Sequence, residues 1–128
     1  MGGALENATR QLFDALDRKD AEAIIRSASQ EVQMVDEISR KWQRGIDAAG
    51  SYFRQAMGTV DDIHSTINDV HESVLGDTGL VTCWLEQDYT LEGNRTHVSA
   101  PTSLVFRRDN DAWKVVLIHT IPMPPDEK

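Results

Sequence analysis

The chain has 128 residues, 40% apolar and 27% charged, which is the composition of one ordinary globular domain long enough to bury a core. Its formal net charge of −8 argues against a nucleic-acid partner and against an anionic membrane surface, since both call for clustered basic residues. The single cysteine, Cys83, excludes an internal disulfide and fits a reducing, cytoplasmic compartment, and no apolar run has the length of a membrane span.

Residues 4–18 repeat apolar side chains at Leu5, Ala8, Leu12, Phe13 and Leu16, the spacing of a helix with one oily face. Lys19-Asp20 breaks it, and Asp20 is suited to cap a second helix over Ala21 to Ser29, with Ala21, Ile24, Ile25 and Ala28 inward. The period then changes to two. Val32, Met34, Asp36 and Ile38 alternate with Gln33, Val35 and Glu37, which predicts a strand from Val32 to Ile38. Ser39 to Arg44 reads as a polar connection carrying Trp42. Gly45 punctuates, and Ile46, Ala49, Tyr52 or Phe53, and Ala56 or Met57 predict a third helix that Gly58 ends.

From Asp62 the pattern is that of antiparallel strands. Ile63, Ser65 and Ile67 share one phase and Val70, Glu72 and Val74 the other, so a bulge is expected near Asn68-Asp69. Gly76 to Gly79 is a turn signal, and Leu80 to Leu91 follows with Val81, Cys83, Leu85, Gln87, Tyr89 and Leu91 on one side. After Glu92-Gly93-Asn94 comes Thr96 to Phe106, in which Pro101 predicts an edge position or a bulge because proline cannot donate to a ladder. Asp109-Asn110-Asp111 turns into a final strand within Asp111 to Pro122. Strict alternation there puts Trp113, Val115, Leu117 and His119 on one face. Met123 to Lys128 reads as a loose tail on a single domain spanning 1–128, its core about 5–122.

The order of elements, the passage VDEIS…WQRGIDAAGSYF and the closing AWKVVLIHTIP resemble the SnoaL-like group of the nuclear-transport-factor-2-like, ketosteroid-isomerase-like superfamily. The resemblance runs from about Leu5 to Pro122. It rests most on Trp113-Lys114-Val115-Val116 with His119, and on Gly45-Ile46 after the first strand. It implies an α+β, cystatin-like conical barrel, with three N-terminal helices packed on a strongly curved, mostly antiparallel sheet. It also implies a homodimer packed through that sheet. Members include isomerases, polyketide cyclases, dehydratases and hydrolases, so the fold alone does not select a function. The isomerases set a Tyr on the first helix, an Asp base after the first strand and an Asp acid late in the sheet. Here the first helix has Phe13 as its large aromatic, Asp36 or Glu37 stands at the base position, and Thr96 to Phe106 holds no acid. Steroid isomerisation is therefore not what the resemblance implies.

Asp36 and His119 are the candidate catalytic pair, a base and its orienting partner, in a cone that leaves an apolar pocket at one end. Trp42, Tyr52, Trp84 and Phe13 are candidate ligand-binding walls. His64, His71 and His97 are read on separate strands and make no ligand set, so neither a metal nor a cofactor is expected. Two functions fit: an acid–base enzyme acting on an apolar small molecule, or a non-catalytic ligand-binding or dimerisation domain. The second-phase residues Leu80, Thr82 and Trp84 need a cover, and a symmetric partner supplies one.

Overall fold

The computed structural model describes residues 3–122; the expected tail at 123–128 lies outside the described residues. Helix α1 spans Ala4–Asp17 and buries Leu5, Thr9, Leu12, Phe13 and Ala15. Helix α2 spans Ala21–Arg26, and the Asp20 side chain accepts the Ala23 N–H at 3.1 Å, the cap its sequence predicts. The helix ends three residues before the predicted Ser29. The Ser27 hydroxyl folds back on the Ile24 carbonyl, and the Ser27 carbonyl is taken by the Val115 N–H at 2.9 Å, so the chain enters the sheet there.

Strand β1 accordingly runs Ala28–Val35, and Ile38 lies outside it. The next residue, Asp36, starts a turn: its carboxylate accepts the Ser39 N–H and its carbonyl the Arg40 N–H. The connection after it holds a short strand, β2 (Gln43–Arg44), that the alternation could not reveal in two residues. Gly45 then takes φ +86°, a conformation a side chain would strain, and opens α3 (Ile46–Thr59). Gly58 sits within the last turn rather than ending the helix. Thr59 bonds back to the Gln55 and Ala56 carbonyls, and Val60 passes straight into β3.

The remaining strands are β3 (Val60–Leu75), β4 (Thr78–Leu91), β5 (Asn94–Asp109) and β6 (Ala112–Thr120). The six strands order β2-β1-β6-β5-β4-β3. All neighbours are antiparallel except β1 and β6. The sheet is open, with β2 and β3 as its edges, and the helices fill its concave side. The bulge expected near Asn68-Asp69 is present, with Asp69 at φ 52°; a second, at Asp62, has the same left-handed conformation. His64 and His71 thus lie on one long bulged strand, not on two. Pro101 is on an interior strand and β4 pairs through it without a shift, opposite Trp84. It is tolerated because pairing with β6 begins only at Thr102.

The bulge that matters most is in β6. Val115 pairs with Phe106 and Leu117 with Val105, so Val116 is an extra residue without a partner on β5. One added residue reverses the alternation beyond it. Trp113 and Val115 belong to the inner face, and after the bulge Ile118 and Thr120 do. Leu117 and His119 are turned to the outer face.

The core is one main cluster under the helices, centred on Leu5, Val32, Met34, Val81, Leu104, Phe106 and Val115. Cys83 belongs to a smaller cluster with Phe13, Ile67 and Leu85, and burial pushes its thiol pKa up to about 11. It behaves there as a small hydrophobe and is a poor nucleophile.

Candidate functional site

Two adjoining cavities lie between the helices and the sheet, of about 60 and 40 Å³. They share Leu16, Asp36, Phe53 and Gln87. The first adds Leu12, Phe13, Met34, Leu85, Ile118 and Thr120, and the second adds Tyr52, Met57 and Tyr89. The wall is mostly apolar, with few polar groups set into it, the usual make-up of a small-molecule site.

Asp36 is the charged group common to both cavities. It follows Met34 inward at the end of β1, as the alternation predicts. The Tyr52 hydroxyl, from the middle of α3, reaches Oδ2 at 2.8 Å and Oδ1 at 3.1 Å. The Ser39 N–H donates to Oδ1 at 2.8 Å. The carboxylate is therefore held from two sides with lone pairs still open to the cavity. The adjacent Glu37 accepts from the hydroxyl of Tyr89 on β4. The chain has two tyrosines, and each is spent on one carboxylate of the Asp36-Glu37 pair.

Both phenols are pushed far above their ordinary pKa of 10.0. For Tyr52 burial comes first and the Asp36 charge second; for Tyr89 burial comes first and its hydrogen bond to Glu37 second. A raised folded pKa favours the folded state fully below pH 10 and loses that advantage as pH rises beyond it, because the unfolded chain then releases its protons first. In an alkaline titration, tyrosinate absorbance at 295 nm is accordingly expected to stay absent at pH 10.5 and to appear together with loss of the far-UV helix signal. Two phenols ionising around pH 10 in the folded chain would contradict the Tyr52 and Tyr89 contacts.

The other expected site residues divide. Phe13 and Tyr52 are cavity walls. His119 is not: the Val116 bulge turns it to the exposed outer face, so it cannot orient Asp36. There it lies 6.1 Å from Trp42, ring centroid to centroid. Trp42 is 41% exposed beside the edge strand β2, under the Arg44 guanidinium, and is not a wall either. Trp84 has the outward phase of β4, and its indole N–H donates to Ser99 Oγ at 2.7 Å. Ser99 passes that bond on to Glu86, and His97 sits between Glu86 at 2.9 Å and Asp88 at 2.8 Å. The hydrogen bonds to Asp88 and then Glu86 raise the His97 pKa. Among the described residues no group of three or more His, Cys, Asp and Glu is arranged to hold a metal ion, and no helix is long and apolar enough to cross a membrane.

Sequence reasoning assigned no role to Gln87, Tyr89 or Thr120. A signal existed for Gln87: it is the one amide among the in-phase series Val81, Cys83, Leu85, Gln87, Tyr89 and Leu91.

An open, bulged six-stranded sheet wrapped on three helices is the NTF2-like, cystatin-like fold of α+β proteins. The SnoaL-like domain profile matches residues 5–123, and the chain belongs to that family. Among solved structures it is similar to a candidate dehydratase of the NTF2-like family from Streptomyces avermitilis, with TM-score 0.86 and 23% identity over 94% of this chain and 95% of that one. It is similar also to a ketosteroid isomerase-like protein from Erwinia carotovora atroseptica (TM-score 0.79, 20% identity, 94% of each chain). A third is an NTF2-like protein with a cystatin-like fold from Novosphingobium aromaticivorans (TM-score 0.76, 16% identity, 95% of this chain and 81% of that one). A search of the curated proteins gives no match. At these identities the likeness is one of fold.

Proposed function

We propose that the chain is an acid–base enzyme acting on a compact, largely apolar carbonyl compound, with Asp36 as the proton-accepting base and Tyr52 as its positioning residue. The observation that carries this reading is a carboxylate open to both cavities whose oxygens are each held by a fixed donor. The solved structure from Streptomyces avermitilis, named as a candidate dehydratase, lends the reading a precedent of fold. Cavities of about 60 and 40 Å³ argue against a polycyclic substrate.

The direct test is deuterium uptake at the α-carbon of cyclohexanone in D₂O, followed by proton NMR. The proposal expects uptake faster than in buffer with matched free acetate. Uptake no faster than that control would turn the reading toward a ligand-binding domain without chemistry.

The outer sheet face supports a second element of the proposal, a homodimer packed through it. Leu80 is 37%, Ile121 37% and Trp42 41% exposed, with Trp84 half-buried among them. Pairing two such faces would cover these side chains symmetrically. Sedimentation equilibrium at micromolar concentration is expected to give twice the 14.3 kDa chain mass, and a monomer would contradict it.

A further inference from the structure

Gln87 sits on β4 and, like Asp36, lines both cavities. Its amide orientation follows from a chain of hydrogen bonds that begins at a charge. The Asp17 carboxylate, at the end of α1, accepts the Ser65 N–H at 2.9 Å and the Ser65 hydroxyl at 2.7 Å. A hydroxyl has one proton to give, and an ionised carboxylate can only accept. Ser65 Oγ has therefore committed its proton to Asp17 and can only accept from Gln87. The group 2.9 Å from it must be Nε2, which fixes Oε1 on the far side of the amide. That oxygen receives no hydrogen bond among the described residues. Since no fully buried side-chain oxygen there lacks a partner, it keeps accessible surface on a side chain that lines both cavities.

The cavity thus presents two acceptors, the Asp36 carboxylate and Gln87 Oε1. An apolar site that offers acceptors binds a ligand with nothing to donate less tightly than one that can donate, because the acceptors lose water without replacement. We infer that Gln87 is a specificity-determining residue that accepts a hydrogen bond from a substrate hydroxyl, with Asp17 and Ser65 as its positioning residues. The substrate class is then a small hydroxylated ring compound, for instance a hydroxyketone. This rests on the reading of the cavity as a ligand site, but not on turnover there.

The experiment compares cyclohexanol with cyclohexanone, which share a ring and differ in whether they can donate. Binding is read from methyl ¹H–¹³C shifts of Leu85 and Ile118, both in the cavity wall. The wild-type chain is expected to prefer the alcohol by about fivefold, the size of one neutral hydrogen bond. Gln87→Leu should lose most of that preference while still binding both rings. Ser65→Ala frees the amide to rotate, so it should also level the two affinities, and Ser65→Thr, which restores the hydroxyl, should recover the difference. A merely structural role for Ser65 would weaken both ligands alike. Equal binding in the wild-type chain, a preference that survives Gln87→Leu, or no shift with either ring at millimolar concentration would each overturn the inference. Alcohol preference without deuterium uptake by the ketone would leave this inference standing and remove the catalytic one.

Discussion

Replacing Asp36 with Asn is expected to lower the α-proton exchange rate of a small cyclic ketone by about 10²–10⁴-fold, the range that a positioned general base contributes. The substitution is close to isosteric. The Asn carbonyl can still accept the Ser39 N–H, and its amide can donate to the Tyr52 oxygen in place of the bond that Tyr52 now gives. The turn and the α3 contact therefore survive, and what disappears is the capacity to take a proton. Far-UV circular dichroism and the urea midpoint should stay near wild type. His119→Ala, which alters an exposed side chain on the other face of the sheet, should leave the exchange rate unchanged. An Asn variant as fast as wild type would remove Asp36 from the mechanism.

Phe106→Ala is expected to cost about 3–5 kcal/mol of stability, from lost transfer free energy and the cavity left behind. That is a large share of the roughly 5–15 kcal/mol that holds a typical domain together. Phe106 is 1% exposed, and it sits on β5 opposite Val115, the last paired residue before the β6 bulge. Its ring supports the strand at the place where the strand changes phase. Urea unfolding should show a fall in midpoint with little change in slope. Phe106→Leu keeps most of the volume and should lose well under half as much. A loss below about 1 kcal/mol for the Ala variant would mean that the core collapses around the gap.

Most of the architecture could be read from periodicity. The helix faces of α1 and α3, the bulge at Asp69 and the inward phase of β4 all follow from spacing, because burial imposes it. The errors lie where a tertiary contact overrides local pattern. Ala28 and Ser29 are acceptable in a helix, but β6 takes the Ser27 carbonyl and draws them into a strand. Asp36 was legible as a cavity residue because it keeps the phase of Met34. His119 was not, since the run Val115-Val116-Leu117-Ile118 is apolar in either register and carries no mark of the extra residue. The Tyr52 and Tyr89 contacts span separate elements and have no local signature.

The parallel pairing of β1 with β6 joins the first and last strands of the described residues. Hairpins β3-β4 and β4-β5 can close as soon as their own residues leave the ribosome. β1 cannot, and its neighbour β2 pairs only with it among the strands. Until β6 adds Val115 and Ile118 to the main cluster, the α2-β1-α3 segment holds Ile24, Val32 and Met34 in an incomplete core. Completion of the sheet depends on β6, so exposure to chaperones and to aggregation is greatest before β6 is added. A nonsense codon upstream of β6 would prolong that state indefinitely.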